Sequence, residues 1–362
     1  MTERPLSTDR AAGLKAAGES NSRPVVSDKP TLGYWQPMKK TLSIALKLAA
    51  RQDAGLPSTG AIVSSIAPQW GMHTMNRRMF LIGGAAASAL LTGKQNMFAD
   101  PLGLPIGCQT YPVRKSIGTD FAGTMKGLRA AGFTQIELCS PYGYDEFSSL
   151  QKYKAQELRH MLEDWGLGCI SAHWSAEELF QRADQSIAYA KEFGMTQMAI
   201  AALGPWSART TETVDDVKRY VEPFNAFAEK AHAAGITALL HNEGFVSEHI
   251  DGKPVYDMMI ADLNPATTRL QFQVSTLQQG YDAVTYFEKY PGRFLSMHCQ
   301  DWVKDSSTKS GFRQVPLGKG VVDWKAVFQA AKTGGVKNYF VELEEDPSLM
   351  PLSVPYLKSL NV

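Results

Sequence analysis

From residue 104 onward, short β-rich apolar runs alternate with longer segments whose apolar positions recur at helical spacing. The runs are PIGCQTYP (105 to 112), QIELCS (135 to 140), GCISAHWS (168 to 175), QMAIAAL (197 to 203), ITALLHNE (236 to 243), RLQFQVS (269 to 275), FLSMHCQD (294 to 301) and NYFVELEE (338 to 345). Between them lie FAGTMKGLRAAG, AQELRHMLEDWG, VKRYVEPFNAFAEKAHAAG and VDWKAVFQAAKTGG, which read as helices. Several stop at a glycine (Gly132, Gly166, Gly194, Gly235, Gly334 and Gly335), where a left-handed residue ends a helix. Alternating β and α units require parallel strands with crossover helices. Eight such units predict an α/β fold of the (β/α)8 TIM barrel type over residues 104 to 362. No GxGxxG follows the first strand, which argues against an open dinucleotide-binding sheet.

The first hundred residues follow a different pattern. Residues 1 to 74 have scattered Pro, Gly and Ser and few periodic apolar stretches, and are expected to be a disordered extension. Residues 75 to 99 begin MNRRMFLIGGAAASALLTG, a charged start followed by an apolar run too short to span a membrane comfortably. Arg77, Arg78, Phe80 and Leu81 match the RRxFL core of a twin-arginine signal. The expectation is therefore a periplasmic or exported protein handled by the twin-arginine machinery, with Met75 as the natural start.

Composition narrows the partners. The chain is 44% hydrophobic and 20% charged, with 37 basic and 36 acidic residues. That near balance excludes an electrostatic footprint for nucleic acid. Cys108, Cys139, Cys169 and Cys299 fall in apolar runs without a CxxC pair, and read as buried small hydrophobes. The oligomeric state stays open, a homo-oligomer included.

In a barrel of this type the reactive groups lie where strands end. Glu137 lies in the second run, His173 ends the third, His241 and Glu243 the fifth, Gln273 the sixth, His298 and Asp301 the seventh, Glu342 and Glu344 the eighth. Side chains two apart in a strand share a side. Imidazoles and carboxylates converging from several strands suit one divalent ion such as Mn²⁺, Mg²⁺, Co²⁺ or Zn²⁺. Asp301 and Trp302 are expected at the loop mouth, whereas Cys299 and Gln300 read as structural.

GITALLHNEGF, YFEKYPGRFLSMHCQD, VPLGKGVVDWKAVFQAAKTGGVKNYFVELEED and QIELCSPYGY together resemble the xylose isomerase-like TIM-barrel family of sugar-phosphate isomerases and epimerases. The resemblance implies one divalent metal held by Glu243, Gln273, His298 and Glu342, with His241 as the second choice on the fifth strand. It carries two departures. Glu243 stands where relatives often have a His, and Gln273 stands where they commonly have an Asp, so one ligand is a neutral amide.

The chemistry implied is proton abstraction beside the carbonyl of a small-molecule sugar, with Glu342 or Glu243 as base and His173 and Glu137 orienting hydroxyls or shuttling protons. His241 and Asp301 would bind substrate, and Trp174, Trp206 and Trp302 would stack on the apolar face of a sugar ring. Export disfavours a phosphorylated substrate and favours a non-phosphorylated or keto sugar. Two alternatives stand beside this reading: a catalytically silent carbohydrate-binding barrel, favoured by Gln273, and a metal-dependent hydrolase or lyase acting on keto-glycosides.

Overall fold

The computed structural model describes residues 101–204, 213–243 and 247–362. The expected extension (1 to 74), the signal (75 to 99) and Trp206 lie outside the described residues. Eight parallel strands close into a barrel: β1 (Gly107–Gln109), β2 (Gln135–Cys139), β3 (Gly168–His173), β4 (Gln197–Ile200), β5 (Thr237–His241), β6 (Thr268–Gln273), β7 (Phe294–Cys299) and β8 (Asn338–Val341). Each pairs with its neighbours in sequence, and Gly107 opposite Phe340 joins β1 to β8. Seven lie within the expected runs, and β6 begins one residue ahead of its run, at Thr268.

Helices from Phe121–Ala130 to Met350–Ser359 surround the strands. Sequence chemistry sets their ends: Asp323 caps the Trp324–Gly334 helix by accepting from Ala326 N at 3.1 Å, and Gly335 ends it at φ 87°. The outward strand residues pack on the helices and on one another, Phe272 against Phe287 of the Ala283–Lys289 helix and Phe294 of β7 with ring centroids 5.6 and 5.5 Å apart. Among the described residues, no helix is long and apolar enough to cross a membrane.

Two antiparallel ribbons decorate the strand ends. One pairs His249–Ile250 with Lys253–Pro254; the other, directly after β7, pairs Asp301–Lys304 with Phe312–Val315.

The barrel interior is polar, where the fold more often packs bulky branched apolar side chains. Gln197 and Asn338 exchange amide hydrogen bonds at 3.0 and 3.2 Å near the floor. Asn338 and Gln271 both donate to Ser296 Oγ, at 2.9 and 3.0 Å, and Gln271 Nε2 also donates to Glu137 Oε1 at 2.9 Å. Buried polar groups of this kind are tolerated only when paired, and these are. The column of hydrogen bonds leads upward to the strand ends.

Candidate active site

Glu137, from the middle of β2, is fully buried at the centre of that column. Its Oε1 accepts from Ser171 Oγ at 2.6 Å and Gln271 Nε2 at 2.9 Å. Its Oε2 accepts from Gln109 Nε2 at 2.8 Å and meets His298 Nε2 at 2.6 Å, with His173 Nε2 at 3.3 Å. Burial by itself would raise the Glu137 pKa, but His173 and His298 outweigh it and hold the carboxyl well below its ordinary value. Enclosed this way, Glu137 touches no open space. The expectation that it handles substrate hydroxyls is corrected: it orients imidazoles.

His298 bridges two carboxylates, with Nε2 on Glu137 and Nδ1 3.0 Å from Glu342 Oε2. Burial would lower its pKa; the pull of Glu342 and Glu137 overrides this and raises it to about 10. His298 is therefore an imidazolium here, with both nitrogens engaged. Glu342 is mostly buried, and its Oε2 also accepts from Gln273 Nε2 at 2.7 Å and Gln300 Nε2 at 3.0 Å. Burial would raise the Glu342 pKa, but the His298 charge and hydrogen bond outweigh it, leaving it at about 2.

His241, at the end of β5, is in the opposite condition. It is fully buried, and neither ring nitrogen takes a hydrogen bond among the described residues. Burial first, and then the His298 charge, keep its pKa low, so it is a neutral imidazole. Its Nε2 lies 3.7 Å from Glu243 Oε1, and His241, Glu243 and Glu342 offer ligand atoms all within 4.8 Å of one another. Gln273 Oε1 beside Glu342 is likewise buried without a donor. Unpartnered nitrogen and oxygen atoms beside two carboxylates are the donor chemistry of a divalent cation site, so these residues fit one. Three imidazoles, His173, His241 and His298, form a second cluster, with His173 and His298 stacked at 5.2 Å.

The site thus brings together Glu137, His173, His241, Glu243, Gln273, His298 and Glu342. The sequence expectation had Glu243, Gln273, His298 and Glu342 as ligands, with His241 second to Glu243 on the fifth strand; the structure sets His241 with Glu243 and Glu342, and commits the His298 nitrogens to carboxylates. Glu344 is exposed at the crowded mouth, where partial desolvation, Glu342 and Glu243 push its carboxyl above its ordinary value. Asp301 is not a substrate contact. It is fully buried, Oδ1 accepting from Trp302 N and Val322 N and Oδ2 from Gly318 N, Gly320 N and Trp324 Nε1, at 3.0 to 3.2 Å. It folds the loop between the second ribbon and the next helix. A Cβ on Gly320 would fall 2.0 Å from Asp301 Oδ1, which explains glycine there. Asp301→Ala is expected to cost about 3 kcal/mol by leaving these donors unpaired, measured by chemical denaturation.

Trp302 and Trp174 are also corrected. They are 2% and 1% exposed, so their rings pack in the interior and offer no stacking face. Gln300 read as structural in the sequence, and Gln109, Ser171 and Gln271 were not among the expected site residues, although Gln271 lies two residues from Gln273 on the same side of β6, a spacing that signals a shared face. The cysteines are free: Cys108, Cys139 and Cys299 are buried, Cys169 half-buried.

Comparison with known proteins places this geometry. The family model described as xylose isomerase-like TIM barrel matches residues 126–360. Solved structures with the same fold include a sugar phosphate isomerase/epimerase from Parabacteroides distasonis, at 23% identity and TM-score 0.56, covering 70% of this chain and 93% of that one. A xylose isomerase-like TIM barrel protein from Mycobacterium smegmatis in complex with magnesium matches at 16% identity and TM-score 0.53, covering 72% and 97%. The IOLI protein with a binding zinc atom matches at 13% identity and TM-score 0.52, covering 71% and 95%. At these identities the structures establish the fold alone, and no curated protein matches. With a closed eight-stranded barrel and the family model spanning most of it, this chain belongs to the xylose isomerase-like TIM barrel family.

Proposed function

We propose that this protein is a metal-dependent sugar isomerase or epimerase that abstracts an α-proton from a non-phosphorylated or keto sugar. The observation that carries the reading is the unpartnered, neutral His241 set against Glu243 and Glu342 at the strand ends. Solved relatives described as a sugar phosphate isomerase/epimerase, and as binding magnesium or zinc, support it. Export of the folded barrel through the twin-arginine route belongs to the same reading.

His241, Glu243 and Glu342 would hold the ion, with Gln273 Oε1 as a neutral fourth donor. When bound, a divalent ion polarises the carbonyl and hydroxyl oxygens of a sugar and stabilises negative charge developing on them. The protein supplies the proton handling. Glu243 is the more accessible carboxylate, its side chain 29% exposed against 5% for Glu342. Burial raises its pKa less than His241 lowers it, so it is ionised at neutral pH and able to take a proton. The second carboxylate, Glu342, is held in one orientation by His298, Gln273 and Gln300. His173, its side chain 8% exposed, stands near enough to the mouth to orient a hydroxyl.

Incubating the full chain with Mn²⁺ and a panel of keto sugars in D₂O should wash deuterium into the carbon beside the carbonyl. Chelation should abolish the exchange and Mn²⁺ should restore it. Gln273, a neutral amide where an acid would bind the ion more strongly, favours the silent carbohydrate-binding barrel instead. Sugar affinity without exchange, unaffected by chelation, would establish that second reading and end the first.

A further inference from the structure

Outside the ligand cluster, one feature connects the mouth to the ribbon that follows β7. Gln300 is 5% exposed, donates from Nε2 to Glu342 Oε2 at 3.0 Å, and accepts at Oε1 from Gln314 Nε2 at 3.2 Å. Gln314 sits opposite Trp302 on the far strand of the ribbon. It is locked in turn: its backbone N donates to Glu345 Oε2 and its Oε1 accepts from Glu345 N, both at 2.9 Å. The chain of contacts runs Glu342, Gln300, Gln314, Glu345. It leaves the barrel at Glu342 and rejoins the segment after β8 three residues later.

We propose that Gln300 is a positioning residue for Glu342, and that Gln314 and the ribbon hold Gln300 in register. Three donors converge on Glu342 Oε2: His298 Nδ1, Gln273 Nε2 and Gln300 Nε2. Among the described residues none reaches Oε1. The carboxylate is therefore turned with one oxygen anchored and the other free for an ion or a sugar. An amide suits position 300 because it donates to the carboxylate while accepting from the ribbon, which neither Lys nor Met can do. Asp301, next in the chain, fixes the ribbon base through its five donors, so the anchor under Gln300 is rigid.

This inference rests on the metal-dependent reading of the site, and the test separates the two. Mn²⁺ is titrated calorimetrically into the full-length wild type, Gln300→Met, Gln314→Met and the double variant. Methionine keeps the volume of glutamine and removes the hydrogen bonds. Partners one step removed from a metal ligand typically change affinity 10- to 100-fold. Gln300→Met is expected to weaken Mn²⁺ binding about 10-fold, Gln314→Met to act in the same direction by less, and the double variant to match Gln300→Met. At saturating Mn²⁺, the deuterium exchange should lose kcat with KM unchanged, a split that a merely structural defect would not produce. Losses that add in the double variant, or Mn²⁺ affinity equal to wild type in both single variants, would overturn the relay while leaving the metal site standing. Failure of the wild type to take up Mn²⁺ would overturn both. Should Gln300→Met unfold, the half-buried Gln314→Met decides the matter alone.

Discussion

Glu342→Gln is expected to lower kcat for α-proton exchange by about 10² to 10⁴-fold while the barrel stays folded. The two halves of this prediction come from the two oxygens. Oε2 accepts from His298, Gln273 and Gln300, and a glutamine can turn its own oxygen to the same three donors. Its NH₂ then takes the position of Oε1, which no described residue donates to, so no donors are forced together there. What the amide cannot do is add a negative charge to the proposed cation site, which already has Gln273 in place of an acid. Deuterium exchange by NMR, with circular dichroism as the folding control, checks both halves. Wild-type exchange in the variant would remove Glu342 from the reaction.

The matching substitution one layer down should behave differently. Glu137→Gln is expected to cost about 3 kcal/mol of stability, with a fall in Tm of about 10 °C. Both oxygens of Glu137 are saturated, Oε1 by Ser171 and Gln271, Oε2 by Gln109 and His298. Whichever way the amide is turned, its NH₂ faces groups that donate. The charge that holds His298 from below is lost as well, leaving a fully buried imidazolium with Glu342 as its remaining counter-ion. Breaking one side of a buried charge cluster is costly because the other side cannot be resolvated. Thermal unfolding of the variant beside Glu342→Gln provides the contrast: equal Tm values in the two would refute the division between a structural and a reactive carboxylate.

The arrangement explains why a protein would tolerate a polar barrel interior. Gln197, Asn338, Ser296 and Gln271 contribute nothing a sugar could touch, yet they complete the hydrogen bonds of Glu137, which orients His298, which anchors Glu342. A single unsatisfied member would be expensive in a water-free interior, so the column stands or falls as a unit. Gln273 has a different character. It donates to Glu342, while its buried Oε1 takes no hydrogen bond among the described residues.

Several site residues could be read directly from the pattern. Strand ends bearing His173, His241, Glu243, His298 and Glu342 follow from the alternation of β and α segments together with the rule that such barrels carry their chemistry at that edge. Asp301 misled because it is acidic and near the same edge; only the fold of residues 318 to 324 around it makes it a loop anchor. Trp174 and Trp302 misled for a related reason, since a large amphipathic ring beside a mouth can face inward as readily as outward. Gln300 read as structural because an isolated glutamine carries no signal until Glu342 and Gln314 are seen on either side of it.

By itself, then, the sequence determined the order of strands and helices, the closed barrel they form, and the edge at which acids and imidazoles gather, because these depend on local periodicity and on turn residues such as Gly194 and Gly335. Tertiary structure alone decided the role of each group: His298 meets Glu137 across 161 residues of chain and Glu342 across 44, whereas neither ring nitrogen of His241 takes a hydrogen bond among the described residues. The protonation, pairing and availability of a buried side chain are set by the few atoms touching it. Those atoms come from distant strands whose register the linear pattern does not specify.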